Sequence, residues 1–335
     1  MNQIPAAIIG LGRIASLLED DPLREKPCTH AGAITANEDC TLVAGSDVDA
    51  ERRALFAKKW QVPVYADAAE MLCAHHPQIL VIATHPDSHA EYCLLAAENH
   101  IPVVICEKPL ADSLRSAKAI ARLTAGKGGA SDGLKIVTNH ERRYSEDYIT
   151  AKTVLDEGRL GKLLGVTGTL YMGRFRRLLD VLWHDGTHLA DAIMFLTDST
   201  LKHRRSWGTK LTAKEGTAYL EAELYGAAAK RIPVLIEVGA GRDHLVFEIE
   251  FSCEKGRLRI GNGIFEVWES AESPYAEGFR SLKNSSVKFE GPTGYFANMV
   301  KDTVACVREP DRQPQSSSAD GLRVIEYLHS IKRWR

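Results

Sequence analysis

The sequence lacks the features that mark membrane, nucleic-acid-binding or disulfide-bonded proteins. Its apolar runs fall well short of the ~20 residues that a helix needs to span a bilayer, and the first residues lack the order of a secretory signal. The formal net charge of −2 provides no basic excess to attract nucleic acid or anionic lipid. The seven cysteines are scattered, without a Cys-x-x-Cys pair or zinc-like spacing. We therefore expect a cytoplasmic protein with reduced thiols and no nucleic-acid, membrane or metal partner.

The pattern of apolar residues changes along the chain, and the length of 335 residues is enough for two domains. In the first third, short apolar runs alternate with helical patterns, which predicts a parallel sheet with right-handed crossovers. The predicted strands cover residues 6–9, 42–45, 62–65, 79–83, 102–106 and 134–138. The predicted helices cover residues 49–59, 66–75, 88–99 and 114–124. A glycine-rich stretch at 126–133 predicts a flexible loop.

Beyond about Tyr148, longer segments alternate between apolar and polar residues, which predicts a largely antiparallel sheet. These segments cover residues 163–172, 217–224, 232–238, 245–251 and 256–260. Helices are predicted up to residue 157 and at 186–195, 295–307 and 319–331. The sequence therefore predicts an α/β protein with a doubly wound parallel domain at 1–140 and a second α/β domain at 141–335. The closing helix can pack back near the first domain.

The first predicted strand ends in a glycine loop, Gly10-Leu11-Gly12-Arg13-Ile14-Ala15. In this G-x-G-x-x-A pattern the first glycine allows a tight turn and the second admits a pyrophosphate to the backbone N–H groups. The small third residue lets the following helix pack closely, and that helix's N-terminus favours the negative charge. The pattern predicts a dinucleotide site. The alternative is an ordinary strand-to-helix turn.

An acidic residue, Asp47, follows the second predicted strand. An acid at this place accepts hydrogen bonds from the adenosine ribose and repels the additional phosphate of NADP, which favours NAD. Arg13 could reach that phosphate, so NADP stays open as an alternative. Asp47 lies well beyond the usual ~20 residues from the glycine loop. We attribute the excess to an insertion at residues 16–29, before a helix beginning near His30 and beside the cofactor mouth.

The fifth predicted strand leads directly into Glu107-Lys108-Pro109. Ligands of α/β proteins bind at the carboxyl ends of such strands. A charged group beside a core is costly unless it has a function or a partner, and the proline restricts the backbone of Lys108. Lys108 is therefore a candidate catalytic residue. A surface lysine paired with Glu107 is the alternative.

Several motifs together resemble the glucose–fructose oxidoreductase / inositol dehydrogenase / MocA (Gfo/Idh/MocA) family of NAD(P)-dependent dehydrogenases. They are the glycine loop and residues 82–89, 107–109, 140–144 and 158–162. The resemblance implies a Rossmann domain followed by a domain with an open, mostly antiparallel sheet that packs against another subunit in a homodimer or homotetramer. It also implies reversible oxidation of a secondary alcohol on a sugar, cyclitol or nucleotide-sugar.

The resemblance also assigns roles to residues of the first domain. By position, Thr84, Pro86 and His89 line the nicotinamide side of the site, Glu107 lies near the ring, and Lys108 is the catalytic lysine. Gly10, Gly12, Arg13, Ile14 and Asp47 complete the expected cofactor-binding set.

The second-domain site should lie on the helix that opens at residues 183–191, where the family shows D-x-G-x-H-x-x-D. His188 then matches the family histidine, His184 stands in place of the aspartate, and Asp185 comes one residue late. Residues at i and i+4 share a helix face, so both histidines could meet one substrate. Histidine suits proton transfer at neutral pH. We expect His188 to be the acid/base, Lys108 to orient the hydroxyl and relay the proton, and His184 to be a second polar contact. Zinc binding by His-x-x-x-His is the alternative, although no third ligand is evident.

Further cations follow a strand of the second domain, at Arg174, Arg176 and Arg177. They either receive a substrate carboxylate or phosphate or form a solvated loop face. We count Arg174, Arg142 and Asp185 as substrate-side candidates. A second hypothesis for the whole chain is a non-catalytic nucleotide-sensing or scaffold protein that retains the Rossmann domain, because His184 replaces the expected aspartate.

Overall fold

The computed structural model describes residues 3–125, 133–173, 176–226 and 230–331. The predicted loop at 126–133 lies, except for Gly133, outside the described residues. The chain divides into two compact units. The first contains the chain up to Ser145 together with Pro292–Ile325, and the second contains Glu146–Gly291 and the chain from Glu326 onward.

The first unit is built on a six-stranded sheet in which every pairing is parallel. Its strands are β1 (Ile4–Ile9), β2 (Cys40–Ser46), β3 (Val64–Tyr65), β4 (Ile79–Ile82), β5 (Val103–Cys106) and β6 (Lys135–Thr138). The order β3-β2-β1-β4-β5-β6 reverses direction between β1 and β4. β4, β5 and β6 are buried along their whole length, and β4 and β5 are the continuous apolar runs expected inside a parallel sheet. The predicted doubly wound sheet is confirmed.

Helices connect these strands. They are α1 (His30–Ala36), α2 (Ala50–Trp60), α3 (Ala68–His75), α4 (His89–Glu98) and α5 (Leu114–Ala125). Short polar residues fix three of the starts, because the side chains of Thr29, Asp49 and Asp67 accept backbone N–H groups at the N-termini of α1, α2 and α3.

The segment 16–29 interrupts the helix that follows the glycine loop. One helical turn forms, with Ser16 N donating to Gly12 O at 3.1 Å. After the excursion, His30 N donates to Ile14 O at 3.1 Å and Ala31 N to Ala15 O at 3.0 Å. α1 therefore continues the hydrogen-bond ladder begun at Ile14. The helix expected after the glycine loop is thus split into a single turn and α1. The chain leaves the helix at residues 16–29 and then returns to the same pattern of backbone hydrogen bonds.

The second unit contains an eight-stranded sheet of order β14-β13-β12-β11-β7-β10-β9-β8. Its strands are β7 (Leu163–Tyr171), β8 (Thr200–Gly208), β9 (Gly216–Tyr225), β10 (Lys230–Ala240), β11 (Val246–Cys253), β12 (Gly256–Gly261), β13 (Ile264–Glu272) and β14 (Arg280–Asn284). β7 and β10 pair in parallel, and the other pairs are antiparallel. The mostly antiparallel sheet is confirmed. The sequence pattern missed β8, β13 and β14, of which β8 and β14 are polar edge strands without regular alternation.

Three helices of the second unit precede β8: α6 (Glu146–Asp156), α7 (Leu178–His184) and α8 (Gly186–Thr197). α8 approaches the sheet closely, since a Cβ on Gly168 of β7 would lie 3.0 Å from a side-chain carbon of Leu189. Charged cross-strand pairs, such as Arg205 with Glu221 and Arg259 with Glu248, lie among the half-buried and exposed side chains of the strands. α7 was not predicted, because seven residues give too little periodicity.

Two helices close the chain, α9 (Tyr295–Arg308) and α10 (Ser318–Ile331), and the division between the units passes through α10. α9 packs into the core of the first unit through Phe296, Met299 and Val300. None of the helices in the described part of the chain is long and apolar enough to cross a bilayer.

Candidate functional site

Polar residues collect at one edge of the first unit's sheet, because the carboxyl ends of parallel strands all face the same way. The glycine loop follows β1, Asp47 follows β2, Thr84 follows β4, Glu107 follows β5 and Asn139 follows β6. The strand order reverses between β1 and β4, which is where doubly wound sheets bind dinucleotides.

The glycine loop has the shape that a pyrophosphate requires. Gly10 has φ +87°, and a Cβ there would lie 2.7 Å from the carbonyl oxygen of Ala83. Gly12 differs, since a Cβ there would meet a single described atom within 4 Å, Arg52 Nη1 at 3.8 Å. The first glycine is therefore demanded by the fold, and the second leaves its backbone open to a ligand. Of their predicted companions, Arg13 is exposed and Ile14 packs against the core.

Asp47 fastens this loop to the end of β2. It is buried, and its carboxylate accepts hydrogen bonds from Leu11 N at 2.8 Å and Asp49 N at 2.9 Å. The guanidinium of Arg52 lies 3.7 Å from Asp47 Oδ2. Each carboxylate oxygen has a second lone pair, so Asp47 can both hold the loop and accept a ribose hydroxyl.

Glu107 lies at the centre of a buried polar cluster. Its carboxylate is 2.7 Å from His30 Nε2 and accepts hydrogen bonds from Asn139 Nδ2 at 2.5 Å and from the backbone N of Lys108 at 3.2 Å. Sequence reasoning missed His30 and Asn139. The available signals were weak: His30 is the first residue of the helix that resumes after the insertion, and Asn139 directly follows the sixth strand.

The cluster keeps Glu107 ionised at neutral pH. Burial opposes its negative charge, but the hydrogen bond and charge of His30, the nearby Lys108 ammonium and the Asn139 amide outweigh burial and lower the pKa of Glu107. The protein thus holds a fixed anion next to Lys108, which is half-buried and joined to Pro109 by a cis peptide bond.

His89 was expected to line the nicotinamide side, but its side chain is fully buried. Its ring nitrogens lie 3.2 Å from the carbonyl oxygens of Thr84 and Leu110. Burial lowers the pKa of His89, which keeps the ring neutral. A neutral ring carries one N–H, so it donates to one of these two carbonyl oxygens. His89 therefore lies between the loops after β4 and β5 and offers no surface to a ligand. Thr84 and Pro86 remain half-buried at this edge.

In the second unit, the candidate residues lie where two helices meet. α7 ends at His184, α8 begins at Gly186, and Asp185 lies between them. The i, i+4 spacing was expected to place His184 and His188 on one helix face, and the structure corrects this, since the two histidines belong to different helices. Asp185 accepts hydrogen bonds from His184 Nδ1 at 2.9 Å and from Arg176 Nη1 at 3.1 Å. Because a carboxylate only accepts, His184 Nδ1 is the donor in this contact.

The remaining candidates have varied surroundings. His188 is half-buried in α8, and its backbone N donates to Asp185 O at 3.1 Å. Arg177 forms an exposed bidentate pair with Asp180 of α7. Arg142, in the first unit, pairs with Glu141 at 3.2 Å. Arg174 lies outside the described residues.

The candidate side chains are of types that can transfer protons or hold a charged group in place. Within the ranges that the structure describes, no three His, Cys, Asp or Glu side chains form a group that could hold a metal ion. Lys108 and Glu107 carry opposite charges at the cofactor edge of the first unit, and His184, Asp185 and His188 provide titratable groups on the second.

Comparison with known proteins agrees with the geometry of the first unit. Residues 4–130 match the model of the Gfo/Idh/MocA oxidoreductases, described as an oxidoreductase family with an NAD-binding Rossmann fold. The match lies within the first unit of this chain, which is an NAD-binding Rossmann domain, and the glycine loop and Asp47 are the features that fit the cofactor.

Individual relatives extend the comparison. Over 125 residues the chain is 34% identical to inositol 2-dehydrogenase of Klebsiella pneumoniae, covering 36% of this chain and 35% of that protein. The first curated relatives are matched over only 31% to 52% of their own length. Two solved structures share the fold along nearly the whole chain. An oxidoreductase domain protein from Kribbella flavida has a TM-score of 0.78 and 20% identity, covering 99% of this chain and 97% of the other. The WlbA dehydrogenase of Bordetella pertussis, in complex with NADH and UDP-GlcNAcA, has a TM-score of 0.75 and 18% identity. The match covers 99% of this chain and 98% of the other.

Proposed function

We propose that this protein is an NAD-dependent dehydrogenase that interconverts a secondary alcohol and a ketone by hydride transfer. The observation that carries the proposal is Lys108, an ammonium group at the carboxyl end of β5 in an NAD-binding sheet. It follows Glu107, whose carboxylate is held by His30 and Asn139. A buried anchor of this kind fixes the backbone from which the lysine side chain extends.

The chain's own residues supply the proton chemistry. When bound, the nicotinamide cofactor accepts or returns the hydride. The alcohol must lose its hydroxyl proton as the hydride leaves, so a nearby acid/base group is required. We assign that role to His188, and we assign to Lys108 the orientation of the hydroxyl and the relay of the proton. His184, oriented by Asp185, is a second polar contact.

We propose NAD as the preferred cofactor. Asp47 places a carboxylate where the ribose of the adenosine is bound in such folds, and an additional phosphate would meet its charge. The neighbouring Arg52 offsets part of that charge, at 3.7 Å. Replacement of Asp47 by serine should therefore reduce the ratio of the NADP and NAD dissociation constants, measured by titration of the purified protein.

The proposed substrates are sugars, cyclitols and nucleotide-sugars. Inositol 2-dehydrogenase among the relatives and WlbA, solved with NADH and UDP-GlcNAcA, support this class. We also propose that the sheet of the second unit joins copies of the chain in a homodimer or homotetramer. Its charged cross-strand pairs would form a polar interface, and sedimentation at raised salt would test for one.

The decisive experiment follows nicotinamide absorbance with a panel of polyols, sugars and nucleotide-sugars. Lys108→Met should lower kcat on any active substrate by at least about 100-fold, the scale of lost proton-transfer catalysis. The NAD dissociation constant should not rise, because the glycine loop and Asp47 are intact and the lost charge is a cation. Lys118→Met, on the exposed face of α5, is the matched control and should leave both unchanged.

The second candidate function is a non-catalytic nucleotide sensor, favoured by His184 in the place of the family's aspartate. Tight NAD binding with no turnover on the whole panel would support it. Turnover that survives in Lys108→Met would refute the role given to Lys108.

A further inference from the structure

The buried cluster around Glu107 contains two polar atoms that the mechanism above does not use. His30 Nδ1 and Asn139 Oδ1 are buried, and neither has a hydrogen-bond partner among the described residues. His30 is 0% and Asn139 2% exposed. The Phe296 ring packs against the imidazole at an interplanar angle of 81°, with 5.1 Å between the ring centroids.

His30 contacts Glu107 directly. Its Nε2 lies 2.7 Å from Glu107 Oε1, and because a carboxylate only accepts, the imidazole is the donor. The carboxylate stays ionised although it is only 6% exposed.

The position of this charge along the sheet matters. Asp47, the ribose-side acid, lies beyond β2, on one side of the point where the strand order reverses. A dinucleotide crosses that point, so its other arm extends toward β4 and β5. Glu107 is the first residue after β5, which places a fixed anion on the nicotinamide side.

We propose that His30 and Asn139 are positioning residues that hold Glu107 as a buried anion, and that this anion biases the domain toward the oxidised cofactor. The nicotinamide ring is cationic in NAD⁺ and uncharged in NADH, so a fixed negative charge stabilises one and is nearly indifferent to the other. The inference rests on the proposed function only for the direction in which the dinucleotide lies.

The test measures binding and needs no turnover. Dissociation constants for NAD⁺ and NADH are compared by calorimetry in the wild type and in Glu107→Gln, which keeps the shape and removes the charge. We expect the NAD⁺ constant to rise at least about tenfold, because two unit charges a few ångströms apart at an effective dielectric constant near 20 interact by more than that factor. The NADH constant should change by less than about twofold. Lys108 is present in both proteins, so its charge cancels in the comparison.

The positioning residues are tested by paired variants. His30→Phe removes the donor while filling the space beside Phe296, and should shift the NAD⁺/NADH ratio in the direction of Glu107→Gln. His30→Gln can still donate and should restore most of the wild-type ratio. Asn139→Ala removes the other side-chain donor and should give a smaller shift. Glu98→Gln, at the exposed end of α4, is the charge-matched control and should give none.

The outcomes separate the two proposals. An unchanged NAD⁺/NADH ratio in folded Glu107→Gln overturns the inference, and so does an equal weakening for both cofactors, which would show that Glu107 only supports the fold. Thermal unfolding identifies variants that do not fold. If Glu107→Gln does not fold, the NAD⁺/NADH ratio of Asn139→Ala, the mildest substitution, decides. A shifted ratio in a protein without activity on the substrate panel supports the inference and refutes the dehydrogenase function.

Discussion

The polar groups of the two units differ in how they are held. In the first unit, Glu107, Asp47 and His89 are buried and have polar contacts on several sides, so the fold fixes their positions. In the second, His184 is exposed, and its neighbour Asp185 lies at a break between two helices. Buried groups make a rigid, permanent electrostatic environment, whereas groups near solvent can exchange protons quickly. We infer that the first unit binds the cofactor in fixed surroundings. The second unit would bind the substrate and exchange a proton with it.

The largest expected effect separates turnover from cofactor binding. His188→Gln should lower kcat by about 10²–10⁴-fold, the range for loss of a general acid or base. The NAD dissociation constant should be unaffected, since the variant lies in the second unit. His203→Gln, at another partly buried histidine of this unit, serves as control. A comparable loss in both variants would contradict the special role of His188.

The next effect distinguishes the two glycines of the loop. Gly10→Ala should lower the free energy of unfolding by about 1–3 kcal/mol, because the backbone is strained at positive φ and the new methyl group meets Ala83. Gly12→Ala should leave stability within about 0.5 kcal/mol but weaken NAD binding, because its Cβ enters space left for the ligand. Chemical denaturation and NAD titration provide the measurements. Equal destabilisation by both would refute the distinction.

A smaller effect is expected at the helix junction. Asp185→Asn removes the carboxylate that orients His184 through Nδ1, and should lower kcat/KM by about tenfold, as for loss of one charge-assisted hydrogen bond. Asp180→Asn weakens an exposed ion pair with Arg177 at the start of α7, where the carboxylate also accepts the backbone N of Arg177 at 3.3 Å. It should change kcat/KM by less than about twofold. Similar effects of both substitutions would mean that the junction has no particular role.

The smallest effect concerns the insertion, which is fastened to the start of α9. Glu25 accepts hydrogen bonds from Thr293 N at 2.8 Å and Gly294 N at 2.7 Å. Burial opposes ionisation, but these bonds outweigh it and lower the pKa of Glu25. The stabilisation is therefore complete above the unfolded glutamate pKa of about 4.3 and is lost as pH falls through the lower folded value.

Glu25→Gln should reduce the free energy of unfolding by about 1 kcal/mol at pH 7, the usual value of a helix cap. The deficit should shrink below about pH 4.3, which denaturation at pH 7 and pH 3 would reveal. A deficit independent of pH would show that the charge of Glu25 contributes nothing.

Much of the fold could be predicted because its signals are local. The apolar runs that became β4, β5 and β6, the glycine loop and the acid after β2 depend on a few consecutive residues. Strands β8 and β14 escaped prediction since edge strands tolerate charge on both faces. The break at Asp185 escaped it because i,i+4 spacing alone does not reveal where a helix is interrupted.

The sequence by itself determined the parallel sheet, the dinucleotide loop and the presence of a lysine after β5, since these follow from short-range periodicity and from glycine's conformational freedom. Only the tertiary structure decided which partners meet. His30 reaches Glu107 across 77 positions of the chain, after an insertion that returns to its own helical ladder, and His89 turned out to support the site from within. Such contacts arise because strands that are distant in sequence end at the same edge of a sheet. The partners that meet there, such as His30 and Asn139 around Glu107, then determine the surroundings of a buried charge.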